Sequence, residues 1–500
     1  MPAIIGLDIG TTSTVGILID LPDRIVAIAS RDVDLVSLHP GWAEEDPEQW
    51  WRNACSVLRE LLAAEPALAG SLAGIGVAGM VPAVVLLDAK GKLLRRSIQQ
   101  SDGRCGAEVE ELAREVDGKR FLARTGNGIT QQIVASKLRW IRRHEPEIFS
   151  RIDTVFGSYD YINWKLTGRR AVEHNWALEA GFVDLADGAI APDLVALAGI
   201  APSALPPVLA SHARLGQVSA TAAAECGLPE GLPVVAGAAD HVASAYAAGV
   251  VEAGDVLLKF GGAGDILIAV DEARPDARIF LDRHVIPGRF VPNGCMASTG
   301  SLLNWILAGF AAGEVAGQSE PLAHMDRLAA AIPPGSDGVV VLPYFLGEKS
   351  PIQDPLARGT ITGLSLNHGP AHLWRAALES TGYGFRHHIE VFRELGYPIR
   401  RLLASDGGSS SAIWMQIVSD IIGLKVQVLE GHPGSCLGSA WVAAIGTGAS
   451  SDWAGASALV RRGLMVEPNR SHAAVYDTGY RRFRDLYHRL APWFAGADGS

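Results

Sequence analysis

The chain has 500 residues, of which 48% are apolar and 19% are charged, which is the composition of an ordinary globular protein. Because a single hydrophobic core stops growing at about 250–300 residues, this length predicts two large lobes. A formal net charge of -11, without any cluster of Lys and Arg, argues against nucleic acid as a partner.

The first residues predict a strand and not a signal peptide. No basic stretch precedes the apolar run of residues 1–9, and Asp8 interrupts that run early. No later apolar run reaches the ~18 residues that span a bilayer, so no membrane partner is expected. The five cysteines are scattered and form no C-x-x-C pair, which predicts reduced, buried thiols in a cytoplasmic protein.

An N-terminal hairpin is predicted where β-branched residues at 4–9 and 14–20 flank the turn Gly10-Thr11-Thr12-Ser13. Helical spacing at residues 47–64 and a short apolar run at 74–78 follow, which is the rhythm of a mixed α/β fold. Residues 273–292 contain Pro and Gly and are predicted to be a surface connection.

A second hairpin of the same kind is predicted about 250 residues after the first. Its strands are residues 256–260 and 266–270, and its turn is Gly261-Gly262-Ala263-Gly264. The repeat indicates two related halves, with domains at 1–248 and 249–500.

Both turns suit a phosphate group. Glycine lets backbone N–H groups approach an anion without a Cβ in the way, and the hydroxyls of Thr11, Thr12 and Ser13 add donors. Asp8 ends the first strand, where a carboxylate can orient Mg²⁺. A tight hairpin that binds nothing explains the same residues from local pattern alone.

Two further elements follow apolar runs. Asp406-Gly407-Gly408 precedes the helical pattern of residues 414–422, and a bare backbone before a helix start permits close approach of a nucleotide. Asp240 follows the apolar run 232–237, which places it at a strand end leading into a helix. A carboxylate there either takes a proton from a substrate or caps the helix that starts at His241.

Motifs along nearly the whole chain, in a fixed order, resemble those of the FGGY carbohydrate kinases, and especially the xylulokinase-like members. The stretches that carry the resemblance are residues 8–13, 40–51, 102–104, 136–140, 237–240, 343–351, 359–379, 406–408 and 437–440. No G-x-x-x-x-G-K-[ST] or opening G-x-G-x-x-G element supports a P-loop or Rossmann fold instead.

The resemblance implies an α/β fold of two actin-like, ribonuclease H-like lobes with an interlobe cleft, and ATP-dependent phosphorylation of a small sugar or polyol. It implies Asp240 as the general base and Asp8 as the residue that places Mg²⁺ and the γ-phosphate. The phosphate and nucleotide contacts implied are Gly10, Thr11, Thr12, Ser13, Gly261, Gly262, Gly407 and Gly408. The substrate side implied is Val81, Pro82, Asp102, Arg104, Asp240 and His241. A surface salt bridge explains the Asp102–Arg104 pair equally well.

The sequence departs from the xylulokinase pattern on the substrate side. Pro82 stands where a sugar-binding His falls in xylulokinases, and His241 follows the base in place of Asn or Gln. His174 and His241 are candidates to bind substrate hydroxyls. A pentulose is the leading substrate, and a tetritol, a pentitol or an aldonate is the alternative.

Three other interpretations stay open at this stage. They are a kinase for a polyol other than a pentulose, an actin-like ATPase that does not act on sugars, and a sugar-binding relative without catalysis. Many relatives are dimers, but no feature of this sequence demands a homodimer.

Overall fold

The computed structural model describes residues 2–496. Its strands, numbered in chain order, are β1 Ala3–Ile9, β2 Ser13–Asp20, β3 Arg24–Asp32, β4 Glu44–Glu45, β5 Leu72–Gly79, β6 Val85–Leu87, β7 Ser97–Ile98, β8 Thr154–Phe156, β9 Val172–Glu173, β10 Val208–Leu209, β11 Arg214–Gln217, β12 Pro233–Val235, β13 Ala238–Ala239, β14 Asp255–Phe260, β15 Gly264–Ile268, β16 Phe280–Arg283, β17 Phe290–Met296, β18 Val340–Leu342, β19 Thr360–Thr362, β20 Arg401–Ser405, β21 Val426–Glu430 and β22 Arg461–Val466.

The α-helices, numbered in the same way, are α1 Pro47–Ala64, α2 Gly106–Glu115, α3 Gly118–Thr125, α4 Val134–His144, α5 Pro146–Phe149, α6 Ser158–Thr167, α7 His174–Glu179, α8 Pro192–Ala196, α9 Ala220–Cys226, α10 Asp240–Ala247, α11 Gly300–Gly309, α12 Ala312–Val315, α13 Pro321–Ala330, α14 Pro370–Glu394, α15 Ala412–Ile422, α16 Ser435–Thr447 and α17 Ala473–Gly496. The fold class is therefore mixed α/β, as the sequence predicts.

The chain packs as two compact units. The first unit comprises the chain up to Val251 together with Asp271–Val291 and Pro433–Val460, and the second comprises Glu252–Val270, Pro292–His432 and the chain from Arg461 onward. The compact units are not continuous in sequence, because Asp271–Val291 and Pro433–Val460 pack with the first unit. A domain boundary between residues 248 and 249 therefore stays a prediction.

The sheet of the first unit has the strand order β11-β12-β5-β1-β2-β3, and β13 also pairs with β5. Strand β1 runs antiparallel to β2 and parallel to β5. Its apolar residues are buried because both faces of the strand are covered, which is the usual state of a central strand. The N-terminal hairpin predicted from the sequence is confirmed.

Helix α1 covers one part of this sheet. It spans the residues that the helical spacing predicts, it begins after Asp46, and the Asp46 carboxylate accepts a hydrogen bond from the backbone N–H of Glu48. A carboxylate at this position satisfies a backbone donor that the first turn leaves without a partner. The buried side chains of α1 include Val57 and Leu61, which lie where a Cβ on Gly16 of β2 would be.

Helix α16 lies almost in contact with the backbone of the central strands. A Cβ built on Gly6 of β1 would lie 2.0 Å from the carbonyl oxygen of Cys436, and one built on Gly76 of β5 would lie 2.2 Å from that of Ser439. The Ser439 hydroxyl also donates to the carbonyl oxygen of Leu7 at 2.9 Å. Only glycine permits backbones to approach this closely.

The sheet of the second unit includes the strand order β17-β15-β14-β20-β21-β22. Strands β14 and β15 form the second predicted hairpin, which is confirmed, and β14 runs parallel to β20. The long helix α14 packs against α15 and buries most of its 25 residues in the core of this unit.

Two other sequence predictions have clear outcomes. The prediction that residues 273–292 form a surface connection is wrong, because β16 lies within this segment and Asp282 is buried there. Proline and glycine residues around this short strand give the segment the composition of a loop, so the sequence pattern does not indicate a strand.

The cysteines are free, and all but Cys295 are buried. Among the described residues, no helix combines the length and the apolar character that a membrane crossing needs.

The tight packing of α16 leads to a test by substitution. Gly6→Ala forces a methyl group into the Cys436 carbonyl, and overpacking of this kind costs about 3 kcal/mol or more where the backbone cannot move aside. We expect the urea midpoint of Gly6→Ala to fall clearly below that of the wild type. Gly118→Ala is the control, because nothing lies within 4 Å of the position that a Cβ would take there, and its free energy of unfolding should change by less than about 1 kcal/mol. Equal midpoints for the two variants would contradict the packing argument.

Candidate active site

Two predicted carboxylates lie at the same edge of the first unit's sheet. Strands β1 and β13 both run parallel to β5, and Asp8 and Ala238 are both in register with Ala78 of that strand. Two strand spacings place the Cα atoms of Asp8 and Ala238 about 10 Å apart. Asp240 follows two residues after Ala238 and begins α10. The carboxyl ends of the parallel strands thus bring both residues to one edge.

The first turn presents carboxylate and hydroxyl oxygen atoms. The N–H of Gly10 donates to the carbonyl oxygen of Ser13 at 3.0 Å, which closes the hairpin. Thr12 is exposed, while Asp8, Thr11 and Ser13 are half-buried. The Thr11 hydroxyl lies 3.8 Å from the sulfur of Met80. Carboxylate and hydroxyl oxygens in this combination are ligands that suit Mg²⁺ and phosphate.

Asp240 is accessible. The helix begins at Asp240 itself, one residue before the start predicted from the sequence, and Ala239 occupies the N-cap position. The Asp240 carboxylate accepts a hydrogen bond from the backbone N–H of His241 at 2.6 Å. Its side chain is 34% exposed. The helix N-terminus favours the negative charge, and the exposure lets a second molecule reach the carboxylate.

His241 lies between two acidic side chains. Its Nε2 is 2.8 Å from Oδ2 of Asp282, and its Nδ1 is 3.3 Å from Oδ1 of Asp240. Burial lowers the pKa of His241, but the charge of Asp282 and the hydrogen bonds to Asp240 and Asp282 outweigh burial and raise that pKa well above its ordinary value. The contacts therefore favour the charged imidazolium over the neutral ring at this position.

Glu179 completes this group. Its Oε1 lies 3.9 Å from Nε2 of His241. Burial and then the charge of Asp282 raise the pKa of Glu179 well above its ordinary value, which favours the neutral carboxyl. The ligand atoms of Glu179, His241 and Asp282 lie within 4.8 Å of one another. The 2.8 Å between Nε2 of His241 and Oδ2 of Asp282 is a hydrogen-bond distance, so the described residues are held together by hydrogen bonding.

Asp102 and Arg104 form a buried pair, so the alternative of a surface salt bridge is wrong. Both side chains are 0% exposed, and Nη2 of Arg104 lies 2.7 Å from Oδ2 of Asp102. Asp102 also accepts hydrogen bonds from the backbone N–H groups of Ala43 and Arg104. The Arg104 guanidinium pairs with Glu44 and lies 3.8 Å from the ring centroid of Trp42. All of these contacts join Asp102 and Arg104 to other groups of the same chain. A role for Asp102 and Arg104 in substrate binding stays a prediction.

Val81 and Pro82 are buried next to β5, and a buried lysine contacts Pro82. The Nζ of Lys137 donates to the carbonyl oxygens of Gln99 at 2.8 Å and of Pro82 at 3.4 Å. Burial lowers the pKa of Lys137 to about 8. His174 is the other candidate to bind substrate hydroxyls, and its Nε2 lies 3.0 Å from Oε1 of Glu173. Substrate contacts of all these residues stay predictions.

The second turn is tied to the start of α11. The carbonyl oxygen of Gly261 accepts from the Thr299 hydroxyl at 3.0 Å, and that of Gly262 accepts from the N–H and the hydroxyl of Ser301 at 3.1 and 3.0 Å. A Cβ on Gly300 would lie 2.5 Å from the Gly261 carbonyl oxygen. The hydroxyl groups of Thr299 and Ser301, which no sequence motif singled out, therefore fix the second turn through its carbonyl oxygens.

A cavity of about 610 Å³ lies beside the third glycine pair. Gly407 lines it, together with Asp406, Ser409, Ser410, Ala412, Met415, Val428, Leu429, Glu430, Gly431, His432 and Leu464. Its volume suits a nucleoside-sized ligand. Gly408 is required by packing, since a Cβ there would lie 2.5 Å from Trp414 and 2.9 Å from Phe260.

Sequence reasoning missed two acidic residues of the group around His241. Glu179 ends a helix of only six residues, and Asp282 lies on a strand of four residues. Elements this short leave no periodic pattern, and no motif marks either residue. Only the position of His241, directly after a predicted base, pointed toward this part of the molecule.

Family models match most of the chain. The model described as the N-terminal domain of the FGGY family of carbohydrate kinases matches residues 3–247, and the model of the C-terminal domain matches residues 273–447.

Three relatives show how far the similarity extends. The crystal structure of xylulose kinase from Rhodospirillum rubrum is 56% identical, with a TM-score of 0.94, over 99% of this chain and 100% of that one. Xylulose kinase of Escherichia coli strain K12 is 30% identical over 98% of this chain and 100% of its own length. Gluconokinase of Bacillus subtilis strain 168 is 27% identical over 95% of this chain and 93% of its own length.

The buried Asp102–Arg104 pair predicts a loss of stability when one charge is removed. Asp102→Asn leaves the buried guanidinium with less negative charge, and breaking such a pair costs about 3–5 kcal/mol. We expect a lower melting temperature and a lower free energy of unfolding. Glu467→Gln is the matched control, because Lys425 and Glu467 are 62% and 65% exposed, and its effect should be below about 1 kcal/mol. If Asp102→Asn melts like the wild type but raises KM, Asp102 serves the substrate and not the fold.

Proposed function

The chain belongs to the FGGY family of carbohydrate kinases, and on that premise we propose that it transfers the γ-phosphoryl group of ATP to a hydroxyl of a pentulose, with Asp240 as general base. Members of this family are phosphotransferases with an alcohol group as acceptor, and their fold is the pair of actin-like units that the sequence predicts.

One observation supports the base assignment most strongly. Asp8 and Asp240 lie at the same edge of one sheet, at the carboxyl ends of parallel strands, and the Asp240 side chain is one third exposed. Phosphoryl transfer needs little covalent help, so the protein supplies position, charge compensation and removal of one proton. Asp240 accepts the proton of the attacking hydroxyl, which leaves the oxygen free to attack phosphorus.

The first turn fits the other half of the reaction. Asp8, with the hydroxyls of Thr11, Thr12 and Ser13, offers the oxygen donors that hold Mg²⁺ and the terminal phosphate. Mg²⁺, when bound, neutralises charge on the phosphate oxygens. In the second unit, Gly407 leaves space beside the 610 Å³ cavity for the adenosine.

The substrate side favours a neutral sugar over a sugar acid. Three carboxyl groups, those of Asp240, Asp282 and Glu179, surround the single imidazole of His241, so acidic groups outnumber basic ones here. The carboxylate of an aldonate would meet electrostatic repulsion there. The similarity to xylulose kinases therefore weighs more than the similarity to gluconokinase.

A pentitol or tetritol kinase is the second candidate. It has the same phosphate-side residues, and it is favoured by one departure from the xylulokinase pattern, the buried Pro82 in place of a side chain that can bond a sugar hydroxyl. A non-sugar actin-like ATPase is set aside by membership of the family.

The proposal predicts which compounds stimulate ATP turnover. In an assay of ADP release over ketopentoses, pentitols, tetritols, glycerol and aldonates, we expect a ketopentose to give the highest kcat/KM and the aldonates to give no stimulation. If no compound stimulates ADP release, the kinase proposal fails.

Removal of the base gives a second, separate prediction. We expect Asp240→Asn to lower kcat by about 10²- to 10⁴-fold, the usual contribution of a positioned base, with the melting temperature unchanged. The control is Asp23→Asn, which removes an exposed carboxylate in the turn after β2 and should retain wild-type turnover. Wild-type turnover by Asp240→Asn would show that another group takes the proton.

A further inference from the structure

Strand β16 is fixed in the first unit by two asparagine side chains that imitate strand pairing. Asn127 donates to the carbonyl oxygen of Leu281 at 2.9 Å and accepts from its N–H at 3.0 Å. Asn175 contacts Arg283 in the same way, at 2.9 and 2.8 Å. Both asparagines are buried. Asp282 lies between the two clamped residues, so its backbone has little freedom to move.

This fixed strand presents one carboxylate to His241. Asp282 is 1% exposed, and its Oδ2 accepts a hydrogen bond from Nε2 of His241 at 2.8 Å. Because Nε2–H is engaged on this side, the orientation of the imidazole ring is set. Nδ1 is then directed at Oδ1 of Asp240, 3.3 Å away. The three side chains form a continuous chain of contacts from the clamped strand to the partly exposed Asp240 carboxylate.

We propose that Asp282 is a positioning residue for phosphoryl transfer, acting through His241 to hold the Asp240 carboxylate in the orientation in which it meets the substrate hydroxyl. The inference rests on the proposed function, in which Asp240 is the base. Asp282 itself is too deeply buried to touch a substrate, so its effect on the reaction passes through the imidazole.

The arrangement explains why a histidine follows Asp240 here. The side chain of Asp240 also accepts from the backbone N–H of His241, so one oxygen of the carboxylate, Oδ1, receives both the amide and the ring. Because the carboxylate group is planar, fixing Oδ1 in this way also fixes the direction in which Oδ2 points. A rotation of the carboxylate by one rotamer would move the accepting oxygen by about 1 Å or more, and a displacement of that size costs on the order of 10²-fold in rate.

The test measures kcat and KM separately for three variants and one control. For Asp282→Asn we expect kcat to fall on the order of 10- to 100-fold with KM within about threefold of the wild type, because the substrate contacts are retained while the base is misaligned. For His241→Asn we expect a fall of similar size. The double variant Asp282→Asn/His241→Asn should be no slower than the slower single variant, since both changes break one chain of contacts.

His284→Asn is the matched control. His284 lies two residues from Asp282 and is equally buried. Its ring nitrogens engage backbone groups, since Nε2 bonds the carbonyl oxygen of Val250 at 2.8 Å and Nδ1 accepts from the N–H of Ile286 at 2.9 Å. This variant should lower the melting temperature and leave kcat within about twofold of the wild type. If Asp282→Asn does not fold, Asp282→Glu takes its place, because it keeps the charge but displaces the carboxylate from Nε2 of His241, and wild-type kcat in that folded variant overturns the positioning role in the same way.

Each outcome has one meaning. Wild-type kcat in a folded Asp282→Asn variant overturns the positioning role, and so does a rise in KM alone, which would mean that the group only shapes the sugar pocket. Multiplicative losses in the double variant overturn action through His241. Asp240→Asn is measured first. If this variant retains wild-type turnover, the assignment of Asp240 as the base fails, which is a different result from failure of the positioning role of Asp282.

Discussion

Helix α16 must lie almost against the backbone of three other elements, and the candidate active site depends on that closeness. Gly6 and Gly76 admit it to β1 and β5, and Gly438 brings it onto α10, where a Cβ would lie 2.0 Å from the carbonyl oxygen of Ala243. Strand β1 carries Asp8 and helix α10 begins with Asp240. One helix thus fixes the spacing of the two carboxylates, and the glycines are needed because any side chain would hold the elements apart.

Around this frame, charge is compensated in two different ways. The Asp102–Arg104 pair is buried, bidentate and stacked on Trp42, so it contributes structure. The group around His241 combines an imidazolium with carboxyl groups at a partly exposed position, so part of its charge stays available to a ligand. The first arrangement therefore holds two charges inside the protein, whereas the second leaves one carboxylate partly exposed.

The sequence predicts the large periodic elements well. Helix α1, the two hairpins and the glycine turns have strong local signals, because alternation, capping residues and glycine dictate them without help from the rest of the chain. Strand β16 with Asp282, and Glu179 at the end of α7, could not be found this way. The position of β16 depends on asparagine side chains about 100 and 150 residues away in sequence, and a contact between distant residues leaves no trace in a local pattern. The hydroxyls of Thr299 and Ser301 were missed for the same reason.

The order in which the first unit is assembled follows from its chain path. During synthesis, β1 and β5 emerge early, but the helix that covers Gly6 and Gly76 consists of residues 435–447. Until the ribosome has made that segment, the apolar face of these strands has no cover, and nascent chains in this condition are prone to aggregate. The glycine-lined contact therefore leaves this face exposed for most of translation, and a circular permutant that moves α16 ahead of β1 would shorten the exposed interval.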